Sequence, residues 1–251
     1  MRDVVVSGGG TGIGLAVAEH FAAAGDRVTV VGRRPDVLAT AAERLGATAV
    51  TCDLADVEAV GGVLDALPGR VDVLVNNAGG NTDIGAARPQ PPGPAVTGRS
   101  AAVALAGLAA GWRANLDANL MTAVLLTAAL TPRLAAGGRV VTLGSIAART
   151  GAGSYGAAKA ALEAWTVDVA RELGPRGITA NVVSPGLTTG TEFFRGRLTG
   201  ERREQLVART LTGRAGTVAD VTAVVAFLAS AAAGHLTGQV LHVNGGAHLG
   251  R

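Results

Sequence analysis

Short apolar runs alternate along this chain with longer segments in which alanine, leucine and valine recur at helical spacing. Val4–Ser7, Arg27–Val31, Ala47–Thr51, Val71–Asn76, Arg139–Leu143, Thr179–Val183 and Gln239–Val243 are apolar stretches bounded by glycine or polar residues. They read as strands buried on both faces. Gly12–Ala24, Pro35–Leu45, Val57–Leu67, Trp112–Leu134, Gly153–Leu173 and Val218–Ser230 read as helices. Strand followed by helix, repeated in this way, predicts an α/β fold: a Rossmann-type, doubly wound parallel sheet of about seven strands with helices on both faces. No internal repeat or linker divides residues 1–251, so a single domain is expected.

One region breaks the rhythm. Gly79–Gly98 holds Pro89, Pro91, Pro92 and Pro94, four of the nine prolines, together with five glycines. That composition predicts an irregular surface loop. Arg99–Gly111, rich in Ala and Leu, reads as helical. A long loop at 79–111 inside a compact domain is either functional or a tolerated insertion, and the pattern does not decide between them.

Composition narrows the function classes. Apolar residues make up 48% of the chain and aromatics only 3%, so the core must be built from Ala, Val and Leu. The formal net charge is +3, and the arginines are scattered rather than clustered, so no nucleic-acid partner is expected. The single cysteine, Cys52, offers no disulfide framework and suits a reducing, cytoplasmic setting. No long uncharged apolar run predicts a membrane span. His20, His235, His242 and His248 show no metal-ligand spacing, and no metal is expected.

The chemistry concentrates at one place. The only tyrosine and the only lysine stand four residues apart, as Tyr155-Gly-Ala-Ala-Lys159. On a helix that spacing puts both side chains on one face. A cation beside a phenol favours the phenolate, so Lys159 is expected to lower the Tyr155 pKa toward the range of a working general acid or base. Arginine, abundant elsewhere in the chain, cannot reproduce lysine's compact charge.

The first strand runs into Ser7-Gly8-Gly9-Gly10-Thr11-Gly12-Ile13-Gly14 and then a helix. Such a turn lets the backbone approach a pyrophosphate at a helix N-terminus. No Gly-Lys-Ser/Thr follows, which excludes a P-loop. The second strand ends Gly32-Arg33-Arg34. Gly32 stands where an NAD site usually has an acid for the ribose hydroxyls, and Arg33 or Arg34 can pair with a 2′-phosphate. NADP(H) is therefore expected over NAD(H), with Arg33 the better candidate.

These motifs together resemble the short-chain dehydrogenase/reductase family, and the similarity runs from about residue 3 to Gly246. It is carried by the Gly8–Gly14 turn, Asp53-Leu54, Asn76-Asn77-Ala78-Gly79, Asn119, Ser145, Tyr155-x-x-x-Lys159 and Ser184-Pro185-Gly186. The C-terminal Leu236–Gly246 completes the set. The resemblance implies that Tyr155 exchanges the carbonyl proton and that Lys159 tunes Tyr155 and bonds the nicotinamide ribose. Ser145 would orient the carbonyl, and Asn119 would help hold a water linking the lysine to solvent. Asp53 and Leu54 resemble the adenine contact, and Asn76, Ala78 and Gly79 resemble the motif at the cofactor ribose. Pro185, Gly186, Leu187 and Thr188 resemble the clamp on the nicotinamide carboxamide, although Thr189 and Thr191 compete with Thr188 for its threonine.

Two departures stand out. Ser145 and Tyr155 are ten residues apart, closer than the resemblance leads one to expect, which leaves Ser154 as a rival for the serine role. Residues 187–213 are expected to form a substrate lid, with Phe193 and Phe194 over an apolar substrate or against another subunit. The reading that follows is a cytoplasmic NADPH-dependent ketoreductase, a homotetramer or homodimer. Its substrate would be a 3-oxoacyl thioester, a polyketide-like carbonyl or another apolar ketone. An NADP-dependent alcohol dehydrogenase running toward oxidation is the alternative, with a cofactor-sensing binding protein behind it.

Overall fold

A computed structural model describes residues 1–86, 91–94 and 96–250. Pro89, part of the proline-rich loop, lies outside the described residues. The chain opens with β1 (Asp3–Ser7), α1 (Gly12–Ala23), β2 (Arg27–Gly32), α2 (Pro35–Leu45), β3 (Thr48–Thr51), α3 (Val57–Gly62) and β4 (Val71–Asn76). It continues with α4 (Gly98–Leu116), α5 (Thr122–Leu130), β5 (Leu134–Leu143), α6 (Ala147–Thr150), α7 (Gly153–Leu173) and β6 (Thr179–Pro185). A short strand pair, β7 (Thr188–Thr189) and β8 (Gly216–Thr217), brackets α8 (Gly200–Val207). The chain closes with α9 (Val218–Leu228) and β9 (Val240–Val243).

Seven strands form one parallel sheet in the order β3-β2-β1-β4-β5-β6-β9. The order reverses between β1 and β4, which opens a crevice at the C-terminal ends of those two strands. The alternation of side chains along β1 shows why these strands are apolar throughout. Val4 and Val6 join a core with Val17 and Phe21 of α1 and Val221 and Val225 of α9. Val5 faces the other way, into a core with Leu126 and Leu130 of α5 and Val169 and Leu173 of α7. Both faces are covered, so no position on the strand can be polar without a partner.

Element boundaries differ from the sequence reading where glycine and proline intervene. The helix predicted over Val57–Leu67 stops at the Gly61-Gly62 pair, and a single 3-10 turn, Leu64–Ala66, follows. Two glycines in succession carry the largest entropic penalty for staying helical. The helix predicted over Trp112–Leu134 begins earlier, at Gly98, and absorbs Arg99–Gly111. It passes through a π turn at Asp117–Met121 into α5 and ends before Pro132, whose ring forbids continuation. Leu134 belongs to β5 instead, which starts five residues before the predicted Arg139. Among the described residues, no helix is long and apolar enough to cross a membrane.

Candidate active site

The crevice between β1 and β4 is shaped first by backbone. Gly8 (φ 66°) and Gly12 (φ 56°) lie in the left-handed region, where a side chain would be strained. Gly14 is required by contact: a Cβ there would sit 2.3 Å from the Gly8 carbonyl oxygen. Thr11 caps α1 without a side-chain bond to the helix amides, and the first turn carries no acid. The first amides of α1 and the positive end of its dipole therefore meet the turn without a competing carboxylate. This cradle fits the diphosphate of a dinucleotide.

Ser7 and Asn77 brace the cradle from below. The buried Ser7 hydroxyl accepts from the amides of Asn77 (2.9 Å) and Ala78 (3.0 Å) and donates to the Val75 carbonyl (3.4 Å). Asn77 Nδ2 donates to the carbonyls of Ser7 (3.0 Å) and Gly8 (3.1 Å), tying the end of β4 to the glycine turn. The sequence reading gave roles to Asn76, Ala78 and Gly79 and named Asn77 within the same motif without a role; its carboxamide beside the glycine turn was the available signal. Asn76 Nδ2 donates to Thr127 Oγ1 (2.8 Å), while its Oδ1 is buried without a partner among the described residues. An acceptor left open at the end of β4 suits an incoming donor.

At the end of β2 both arginines point to solvent, with side chains 70% and 57% exposed. Arg33 lies 3.8 Å from Asp53. Arg34 donates to Thr11 Oγ1 and to Glu192 Oε2, both at 3.1 Å. Asp53 also accepts from the Ala55 amide (3.1 Å), whereas Leu54 is packed into the core beneath it. The structure thus gathers the glycine turn, Arg33, Arg34 and Asp53 along one groove but does not bring the Leu54 side chain to it.

The other wall is built from side chains. Gly144 follows β5 with its amide on the Val183 carbonyl, and Ser145 comes next. The shortened stretch to Tyr155 folds as α6, packed so tightly on α7 that a Cβ at Gly156 would come within 2.7 Å of the Ala147 carbonyl. Ser145 Oγ accepts from the Ala147 amide (3.2 Å) and lies on the side of the Tyr155 phenol, where its hydroxyl favours the phenolate. Ser154, the rival, is engaged elsewhere: it donates to Asp83 Oδ2 (3.3 Å) and accepts from Asn115 Nδ2 (2.9 Å).

Lys159 lies one turn along α7 from Tyr155, 5% exposed, and its Nζ donates to the Leu143 carbonyl at 2.8 Å. The Nζ stands 5.9 Å from the centre of the Tyr155 ring. Contrary to the sequence expectation, the phenol is not lowered. Burial pushes it up to about 12, with the Ser145 hydrogen bond pulling the other way. The same burial brings the Lys159 ammonium down to about 8. Loss of hydration dominates at both groups, and it leaves the Lys159 cation itself hard to keep charged.

Asn119 sits at the centre of the π turn, a distortion often found at functional sites. Its carboxamide accepts from the Gly80 amide (3.0 Å) and donates to the carbonyls of Gly80 (2.9 Å) and Asn115 (3.0 Å). A Cβ at Gly79 would come within 2.6 Å of Asn119 Oδ1, so the glycine permits this close docking. Above Tyr155, Phe193 approaches to 5.6 Å between ring centres, and Phe194 stacks edge-on against Phe193 at 5.0 Å.

The clamp threonines separate in space. Thr188 Oγ1 donates to the Gly186 carbonyl (3.2 Å) and Thr189 Oγ1 to the Gly216 carbonyl (3.1 Å). Thr191 alone reaches the glycine turn, 3.5 Å from where a Cβ on Gly12 would lie.

Comparison with known proteins agrees with this architecture. The family described as enoyl-(acyl carrier protein) reductase matches residues 8–248. The 3-oxoacyl-acyl-carrier-protein reductase FabG of Escherichia coli (strain K12) is 33% identical over 258 residues, covering 99% of this chain and 98% of that protein. The short-chain reductase protein NovJ of Streptomyces niveus is 36% identical over 259 residues, covering 96% and 92%. A solved short-chain type dehydrogenase/reductase from Mycobacterium ulcerans superposes with a TM-score of 0.84 at 30% identity, over 98% of this chain and 89% of that one. The chain belongs to the short-chain dehydrogenase/reductase family. As a short-chain dehydrogenase/reductase it is an oxidoreductase, and the crevice at the β1/β4 switch point is the place such a fold offers a dinucleotide. Its remaining histidines and acids form no group of three or more suited to a metal ion, among the described residues.

Proposed function

We propose that this protein is an NADPH-dependent reductase that converts a ketone or 3-oxo group to a secondary alcohol. The observation that carries the reading is a buried Tyr155 phenol with a buried Lys159 one helical turn away, 5.9 Å from the ring centre, and Phe193 roofing the ring. The nicotinamide coenzyme, when bound, supplies the hydride that the carbonyl carbon accepts. Ser145 orients the carbonyl, and Tyr155 gives its phenolic proton to the carbonyl oxygen. Burial pushes the phenol up to about 12, so Tyr155 carries its proton at neutral pH, the form a proton donor needs. The charged form of Lys159 favours the phenolate left behind and is the candidate to bond the ribose. Asn119, its carboxamide bonded to Gly80 and Asn115, holds the loop to the π turn.

The Gly8–Gly14 turn would hold the diphosphate, with Asp53, Asn76 and the segment after Pro185 along the rest of the dinucleotide. Arg33 and Arg34, solvent-facing beside Gly32, support NADP(H) over NAD(H). The relatives named as 3-oxoacyl reductases and the two phenylalanines over the site favour a 3-oxoacyl thioester or another apolar ketone. One unit spanning residues 1–251 would carry both cofactor and substrate, in a cytoplasmic homotetramer or homodimer. Helix α4 supports assembly: within the protein it buries only Asn115, and it leaves Val103, Leu105 and Trp112 exposed.

An NADPH-oxidation screen across 3-oxoacyl thioesters, cyclic ketones and aromatic polyketide mimics tests the reading. Turnover of one class is expected, with NADPH preferred over NADH by about tenfold or more, the worth of one charge-assisted hydrogen bond. Faster turnover with NADH would overturn the coenzyme assignment, and no oxidation with any carbonyl would overturn the reductase.

A further inference from the structure

Asn115 is the one fully buried residue of the 19-residue helix α4, and it is polar. A buried carboxamide is costly unless its hydrogen bonds are made, so an apolar side chain would fill this place at less risk. Here the bonds are made. Asn115 Oδ1 accepts from the Thr82 amide (3.1 Å), and Nδ2 donates to Asp83 Oδ1 (3.0 Å) and to Ser154 Oγ (2.9 Å). Ser154 closes the triangle by donating to Asp83 Oδ2 (3.3 Å). Asp83 is itself held in a turn by its amide bond to Asn81 Oδ1 (2.9 Å).

Two features give the triangle a direction. Asn115 lies one helical turn before Asn119 and accepts from it through its main-chain carbonyl (3.0 Å), so the two asparagines grip successive parts of one loop. Asn119 takes Gly80, and Asn115 takes Thr82 and Asp83. Ser154 directly precedes Tyr155 in the first turn of α7. The loop is thus fastened at one end to the π turn and at the other to the residue beside the phenol.

We propose that Asp83, Asn115 and Ser154 form a positioning cluster that fixes the 80–83 loop against the start of α7 and thereby sets the placement of Tyr155 and Asn119. The inference rests on the reductase reading for its effect on rate, but not for its effect on local order. None of the three touches the reacting atoms; they act through Tyr155 and Asn119.

Asp83→Ala, Ser154→Ala and Asn115→Leu are compared with the unaltered protein in two measurements. In the first, amide hydrogen exchange is expected to quicken at residues 80–83 and 153–157 while the sheet keeps its protection. In the second, kcat for carbonyl reduction is expected to fall about tenfold to a hundredfold, the range a displacement of about 1 Å produces, with KM changed by less than about threefold. Ser154→Thr and Asp83→Asn, which keep a hydroxyl and an acceptor, are expected to recover most of the rate. The Asp83→Ala/Ser154→Ala double variant is expected to be no slower than the slower single one. Exchange unchanged at 153–157, exchange raised evenly across the sheet, or additive losses in the double variant would each overturn the cluster. If the unaltered protein reduces no carbonyl, the reductase reading fails, while the exchange pattern still decides the cluster by itself.

Discussion

The two walls of the crevice are made in opposite ways. The wall at β1, β2 and α1 is shaped by what is missing: Gly8, Gly12 and Gly14 leave room that no side chain could occupy. The wall at the 80–83 loop, the π turn and α7 is shaped by what is present. There Asn115, Asn119, Ser154, Tyr155 and Lys159 are buried, and the shape is held by the bonds that join Asn115 to Ser154 and Asn119 and by the bond of Lys159 to the Leu143 carbonyl. The first wall is intolerant of added atoms, and the second of removed partners. A cofactor that brings many acceptors of its own needs an open backbone, whereas a proton donor needs a dry, fixed environment.

The largest contrast comes from adding one methyl group to the glycine wall. Gly14→Ala places a Cβ 2.3 Å from the Gly8 carbonyl oxygen, against backbone that cannot yield cheaply. Loss of measurable NADPH binding is expected, with destabilisation of about 1–3 kcal/mol. Titration of coenzyme fluorescence and thermal unfolding check both, and unaltered binding would break the comparison.

A smaller effect is expected at the rim of the same wall. Arg33→Ala should raise KM for NADPH about tenfold while leaving KM for NADH within about twofold, since only the phosphate loses a partner. Equal effects on the two coenzymes would move the 2′-phosphate contact to Arg34, which is tied to Thr11 and Glu192.

The smallest effect has the most informative sign, and it belongs to the polar wall. The unfolded chain holds the Lys159 proton up to the ordinary lysine value of 10.5, but the folded chain only up to about 8. Below about 8 the folded protein must bury a charge, so stability rises with pH between those two values. Lys159→Met should therefore raise neutral-pH stability by about 1–2 kcal/mol, a gain that fades as pH climbs past 10, while activity is lost. A Met variant that is less stable at neutral pH would show that Lys159 bonding to Leu143 outweighs its desolvation.

The glycine wall was legible in the sequence because a glycine turn between strand and helix has few other uses. The strand pattern was equally plain, since burial on both faces leaves continuous valine runs such as Val4–Val6. The polar wall was read in part. Tyr155 and Lys159 stood out by rarity and spacing, but the network around them joins residues as far apart as Asp83, Asn115 and Ser154. No local spacing encodes such a meeting. The direction of the Tyr155 shift was misread for a related reason: adjacency to a cation is visible in sequence, whereas burial is a property of the whole fold. The start of α4 at Gly98 was hidden by the preceding proline-rich run and by an apolar surface that the protein itself does not cover.

Tyr155 is proposed as the proton donor of a reductase. Tyr155→Phe removes the hydroxyl and keeps the ring against Phe193, and its effect is read as kcat for a carbonyl the unaltered protein reduces, beside coenzyme affinity in the same preparation. A loss of about a thousandfold or more in kcat is expected, with NADPH affinity unchanged within about twofold. Reduction at the original rate by the phenylalanine variant would contradict it.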